Sequence, residues 1–598
     1  MQSWIKGLKF IFRILTNKNF LPLLLVLVIS IFAARRLLFE RGYFIMHDDL
    51  QMMRQLEMEK CFRDGQIPCR WAPDMGYGLG LPVFNYYPPL PYLIGESIRL
   101  FGISFVETVK LTFALSLILS GISMYFLSRE FFGRVGGVLS AAFYVWAPYR
   151  AVDIYVRGAM NESWAFIFFP LIFLFSFRLI IGQKSHTVKN LIFLALSYFG
   201  LFMSHNIIVL IFTPFFVGWV LVFLWKQKNW DRLPDLSKSI ILAFGLSAFF
   251  LIPVFWERNL VYIENLVRDY YDYNAHFVSL NQLLFSRFWG YGGSIWGPND
   301  GMSFQIGHLH WIFSLFVGIL LILLLVIKRS SFIGNIKSSA FFLPTSYLLI
   351  VGWTSAFMTH PKSAFIWKLM PTLRFAQFPW RFLTITVFAF SFIIGFLPGL
   401  FANWQAKKKL LAKLLVTPIE LWISSLLILG ITILNWNYFL PANGAMGRIT
   451  DEEKFSGLSW VLQQKGGISD YLPLAAKRQP NAPSEGLVDL IEGKAEIENI
   501  EQGTYWVKFN TNVESESAVI RVNVFKYPNW RIFSDNKELN VYIPPEEEIG
   551  RMYFAIPNGE HLVYGQLFNT WPRTLGNIVT LFSWIGLIGY WRLRLKVR

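Results

Sequence analysis

The sequence predicts a mainly α-helical, polytopic membrane bundle of about twelve spans, with a small β-rich domain before the last span. Three observations predict it. Hydrophobic residues make up 54% of the 598, and charged residues only 16%, against about 25% in ordinary soluble proteins. Long apolar runs recur through most of the chain without alternating, as expected of helices that satisfy their own backbone and not of barrel strands. Near the C-terminal end the apolar period changes to two.

The runs cover residues 20–39, 105–127, 135–150, 163–182, 190–205, 206–225, 239–256, 308–327, 338–358, 380–402, 415–440 and 573–591. One face of such a bundle receives segments 1–19, 128–134, 178–190, 226–238, 328–337, 403–413 and 592–598. They hold 24 Lys and Arg against three acids, Glu130, Asp231 and Asp235. Their net of +21 leaves −4 for the rest of a chain whose total is +17. The basic balance is therefore a positive-inside asymmetry and not a nucleic-acid signal, and it puts both termini in the cytoplasm. Arg35, Arg36 and Arg41 run against it at the outer end of the first span. That first run lacks a small-residue cleavage site, so it reads as an uncleaved helix.

The predicted domains are a helical part over 1–440 with outer loops 40–104 and 257–307, a soluble part over 441–571, and a last span with a basic tail over 572–598. The first outer loop opens with His47-Asp48-Asp49. Ionisable residues beside a span are costly to place, which makes them functional candidates. Residues 68–91 follow, dense in Gly and Pro, which specifies a fixed irregular path. Asp74 lies within it. Cys61 and Cys69 share this loop, where oxidising surroundings permit a bridge. A disulfide and two buried thiols are both open.

Between two later spans, Arg150, Asp153, Arg157 and Glu162 lie close in sequence. A solvated connector with local ion pairs competes with a site there. His205 sits in a short polar turn, where a satisfied polar group is the commoner role. Loop 257–307 mixes Tyr262, Tyr270, Tyr271, Tyr273, Trp289, Tyr291 and Trp296 with Asp and Asn. Such residues suit sugar faces and hydroxyls, although interfacial aromatics look the same. His308 and His310 have a metal-like spacing, but they open an apolar run and lack a third ligand nearby. Arg381 follows Pro379 at a span mouth, where a guanidinium binds phosphate bidentately or snorkels to headgroups.

In the soluble part, Thr450 and Glu453 form a capping-box pattern. Tyr505, Val507 and Phe509, then Ile520, Val522 and Val524, then Met552, Phe554 and Ile556 alternate as strands. Asn558-Gly559 predicts a hairpin turn before Leu562 and Tyr564. Neither a phosphate-binding P-loop nor a dinucleotide fingerprint stands out.

The HDD start, RWAPDMGYGLGLPVFNYYPPLPY, RGAMNES, SHN, WGYGGSIWGPNDGMSFQIGHLHW, QFPWRF and YPNWRIFSDNK together resemble one bacterial membrane-protein family, labelled pyruvoyl-tetrahydropterin synthase-related. The architecture also resembles the GT-C superfamily of integral membrane glycosyltransferases. That resemblance implies a polyprenyl-phosphate sugar donor, a membrane lipid environment and an essential acid in the first outer loop. Asp48 matches by position, with His47 and Asp49 beside it, and which of Asp48 and Asp49 matters is open. On this pattern Arg157, Glu162, His205, Arg381 and Asp74 would hold substrate or phosphate. No cofactor is certain; a divalent metal on Asp48, Asp49 and Glu162 is a variant. The rival is a non-enzymatic carrier or scaffold for cell-surface lipid or polysaccharide. The expected location is the bacterial cell membrane.

Overall fold

The computed structural model describes residues 20–295, 299–326, 341–400, 419–442, 447 and 449–596. Trp296 and all of segments 1–19, 328–337 and 403–413 fall outside these, as do the first residues of runs 338–358 and 415–440.

Each of the twelve apolar runs is helical within the described residues. Runs 105–127 and 135–150 form two helices within Phe105–Val145, broken at Gly133, whose φ of 73° and ψ of −171° are not helical. Among the described residues, six helices are long and apolar enough to cross a membrane, and a seventh is formed if Trp230–Leu246 and Ala248–Leu260, bent by 81°, count as one span. Four shorter apolar helices are Phe20–Ala33, Thr187–Phe202, His308–Leu323 and Phe342–Met358.

The chain divides into two compact units. The first comprises Met1–Asp48, Lys110–Ile240 and Asp272–Arg448; the second comprises Asp49–Val109, Ile241–Tyr271 and Ile449–Arg598. At the heart of the first unit is Leu383–Ile394, every residue of which is buried. A helix apolar on all sides belongs inside a bundle or a bilayer. Phe388 packs against Phe173 at 5.0 Å, and Phe169 stacks on Phe212 at 4.8 Å.

The second unit holds an antiparallel sheet of β1 (Val488–Glu492), β2 (Ala495–Gln502), β3 (Trp506–Phe525), β4 (Trp530–Ser534), β5 (Lys537–Glu538) and β6 (Arg551–Leu567). Their order is β1-β3-β6-β4-β5, with β2 also on β3. The predicted alternation holds: Phe509, Ile520, Val522, Met552, Phe554 and Ile556 all face the core. The capping box is also present, with Thr450 N donating to Glu453 Oε2 at 2.7 Å.

The hairpin expected at Asn558-Gly559 does not form. Both residues lie inside β6, which runs on past them along its longer partner β3. The register slips there between Val513 and Ser517, and Asn558 Nδ2 donates to the Val513, Glu514 and Ser515 carbonyls at 2.9–3.1 Å. The dipeptide therefore services a bulge.

The Gly-Pro loop packs into this sheet's core through Trp71, Leu79 and Leu81. Gly80 takes φ +78°, and a Cβ there would collide with the Trp71 ring. Cys61 and Cys69 are disulfide-bonded, their Cα atoms 5.4 Å apart. A buried polar network ties the loop to the final helix, Trp571–Lys596. Glu257 accepts from Arg573 Nε at 2.9 Å and from Asn85 Nδ2 at 2.8 Å, and Arg70 donates to Asn85 and Asn577.

Candidate functional site

The candidate site is built on residues 148–162 of the first unit. Pro148 opens one helical turn, Pro148–Ala151. The next turn widens, and Arg157 N donates to Val152 O, five residues back, at 2.8 Å. Such π-type turns recur at functional sites. Gly158 then takes φ +63°. Helix Met160–Ile181 follows with Glu162 in its first turn, where a carboxylate meets the positive end of the helix dipole.

This path gathers buried charges. Arg157 Nη1 donates to Asp153 Oδ1 at 2.6 Å, and Arg157 Nη2 pairs with Glu162 Oε2 at 2.9 Å. Tyr149 OH donates to Glu162 Oε1 at 2.6 Å and accepts from Arg157 at 3.2 Å. Arg381 arrives from the Pro379 turn, its Nε 3.6 Å from Glu162 Oε2. Its Nη1 is held by Ala376 O at 2.9 Å and Gln377 Oε1 at 2.7 Å. Gln377 makes this possible by adopting φ +63°. The Arg157 guanidinium lies 4.5 Å over the Trp380 ring. Arg150 is fully buried, donating to Ser163 O and Ser120 Oγ at 3.3 Å.

Arg157, Glu162 and Arg381, three of the sequence candidates, thus meet directly. His205 is close enough to Glu162 and Arg381 to feel their charges. Its Nδ1 accepts from Ile207 N at 3.2 Å, so it caps helix Asn206–Gln227. The acidic motif joins through its backbone. His47 N donates to Val156 O at 3.1 Å, and Asp48 N donates to Arg157 O at 2.9 Å. His47 Nε2 bonds Tyr291 O at 3.1 Å. Asp49 and Asp74 belong to the second unit, where each has a lysine partner. Asp49 pairs with Lys454 at 2.5 Å, and Asp74 pairs with Lys60.

Sequence reasoning did not single out Tyr149, Trp380 or Lys454. Lys454 was the most accessible of these, as a lysine placed just inside the capping-box helix.

Electrostatics follow from burial. Burial, with the Glu162 charge beside it, raises Asp153 well above the ordinary carboxyl value. Burial lowers His47, and the Arg157 charge adds to this. Three guanidiniums, Arg150, Arg157 and Arg381, face two carboxylates, Asp153 and Glu162. Asp153 Oδ2 and Arg150 Nε are buried without a hydrogen bond. His310 Nε2 contacts Phe143 O at 3.0 Å and His308 Nε2 contacts Phe285 O at 3.3 Å, both packing roles. The described residues hold no group of three or more His, Cys, Asp or Glu able to bind a metal ion.

No curated protein matches the chain in sequence. Among solved structures it is similar to the oligosaccharyltransferase of Archaeoglobus fulgidus tethered to an acceptor peptide through a disulfide bond. Identity is 14% and the TM-score 0.37, over 80% of this chain and 61% of that one. The same protein in complex with zinc and sulfate gives 14% identity and a TM-score of 0.33, over 69% and 52%. The chain thus spans about three fifths of the length of the first structure. Residues 84–297 match the model of the family described as 6-pyruvoyl-tetrahydropterin synthase related domain, a membrane protein.

Proposed function

We propose that the protein is an integral membrane glycosyltransferase of GT-C type, moving a sugar from a polyprenyl-phosphate donor to an acceptor at the outer face of the bacterial cell membrane. Both termini would lie in the cytoplasm. One observation carries this reading: the His47-Asp48 backbone is bonded to Val156-Arg157, the segment that holds the buried arginine cluster.

Asp48 acts as general base. The acceptor hydroxyl oxygen attacks the anomeric carbon and its proton passes to the Asp48 carboxylate. The bond from that carbon to the phosphate oxygen breaks, and its electron pair leaves on the polyprenyl phosphate. Arg157 and Arg381 neutralise the charge that grows there, the role of preorganised cations. One guanidinium in excess of the two carboxylates, and a raised Asp153, favour admitting an anion. His47 orients Asp48; Asp49 is the alternative base, although it pairs with Lys454. The described residues offer no ligand trio for a divalent ion, so no step is assigned to one.

A carrier would place its charges in mid-span. Glu162 and Arg381 each stand third from the start of an apolar helix, which favours a site at a helix mouth. The test is transfer from a radiolabelled polyprenyl-phosphate sugar by membranes carrying the full chain. Asp48→Asn should fold and insert while losing about 10²–10⁴-fold in rate. Transfer at the wild-type rate by that variant would refute the assignment. Movement of the lipid across the bilayer without any transfer would favour a carrier.

A further inference from the structure

We propose that a cavity in the first unit, lined by residues between 281 and 304, binds a neutral polyhydroxylated group such as a sugar ring. Its volume is about 300 Å³, at the lower end of the range of about 300–1,000 Å³ typical of small-molecule sites.

The lining chemistry selects the ligand. Asn281 and Asn299 offer amides that both donate and accept, Ser303 offers a hydroxyl, and Phe288 offers a flat face. Hydroxyl-rich rings present the same mixture, with polar edges and an apolar C–H face. Among the described residues that line the cavity, Asp300 alone carries a charge. Its oxygens are engaged: Gln282 Nε2 donates to Oδ2 at 2.7 Å, and Ile295 N and Ser294 Oγ donate to Oδ1 at 3.0 and 3.2 Å. With no cation in the wall, a phosphate has no partner here.

The wall is fixed before any ligand arrives. Gln282 Oε1 accepts from Ser279 N and Ser279 Oγ, both at 2.9 Å, so its amide cannot turn. Ser294 Oγ also accepts from Trp380 Nε1 at 3.3 Å, and Trp380 is the ring beneath Arg157. A contact chain therefore joins this cavity to the arginine cluster within one unit. Assigning the cavity to the sugar of a substrate whose phosphate the arginines hold rests on the proposed function; the preference for a neutral polyol does not.

The test uses the full chain in lipid nanodiscs and biotinylated neutral oligosaccharides built from glucose, mannose, galactose or N-acetylglucosamine, read by biolayer interferometry. Donor lipid and transfer are not involved, so the result is independent of the Asp48→Asn assay. At least one neutral glycan should bind at up to millimolar concentration. Asn281→Ala with Asn299→Ala, both exposed positions, should weaken it about tenfold, as two lost hydrogen bonds would. Phe288→Ala, a second variant at a half-exposed ring, should also weaken it, and inorganic phosphate should not compete. Absence of binding by every neutral glycan, wild-type affinity in the variants, or competition by phosphate would each overturn the proposal.

Discussion

The main-chain amide of Asp48 donates to the carbonyl of Arg157 at 2.9 Å, so the candidate base and a candidate phosphate ligand share one backbone link. Gly158 makes the approach possible. It sits at φ +63°, and a Cβ there would strike the Met46 side chain. Gly158→Ala should therefore cost about 1–3 kcal/mol from left-handed strain and displaced packing. Transfer should fall with it. Met46→Ala in the Gly158→Ala background should recover part of the melting temperature, because it removes the clash but not the strain. A Gly158→Ala protein with wild-type melting and activity would show that the link is dispensable.

Glu162 holds the arginine cluster together. It meets Arg157 at 2.9 Å, accepts from Tyr149 at 2.6 Å and lies 3.6 Å from Arg381. Glu162→Gln keeps the shape but leaves two buried guanidiniums short of a counter-charge. Breaking a buried pair in this way costs about 3–5 kcal/mol. Tyr149→Phe removes only a hydroxyl and should cost about 1–3 kcal/mol. Chemical unfolding in detergent measures both; equal losses, or none for Glu162→Gln, would contradict this ranking.

Much of this was legible in the chain. Apolar runs read as helices because hydropathy and period are local properties. Arg157, Glu162 and Arg381 stood out because a charge beside a span needs a reason. The break between the two helices of Phe105–Val145 needs no loop, since one glycine, Gly133, turns the backbone. Asn558-Gly559 misled because bulge and hairpin share a dipeptide, and the choice depends on how far β3 extends. Partners across long separations were hidden too: Asp49 and Lys454 are 405 residues apart. Tyr149 and Trp380 were masked by a chain that is 18% aromatic.

A pH dependence should arise at Glu57. Burial raises its carboxyl well above the ordinary 4.5, and the neighbouring Asp74 carboxylate adds to this, while Lys60 opposes it. The folded state therefore holds this proton more tightly than the unfolded chain does. The resulting stability is full below 4.5 and declines as pH rises through the raised value. Glu57→Gln should flatten that decline and gain stability at the alkaline end. Melting curves of the two proteins across this window provide the check, and parallel curves would remove Glu57 as the source.

The disulfide should stabilise the second unit measurably. Cys61 and Cys69 are eight positions apart, and closing so short a loop restricts the unfolded chain by about 2–3 kcal/mol. The turn also carries its own bonds: Gln66 Oε1 accepts from Arg70 N at 2.6 Å and Trp71 N at 2.8 Å. These keep Arg70 on Asn85 and Asn577, and Trp71 against Tyr527 at 5.6 Å. Replacing both cysteines by serine should lower the unfolding free energy by the loop term while leaving the Trp71 packing in place. Adding reductant to the wild type should reproduce the shift, and adding it to the double variant should change nothing. Two titratable thiols in unreduced protein would refute the bridge, and a reductant effect on the cysteine-free protein would trace the shift to another cause.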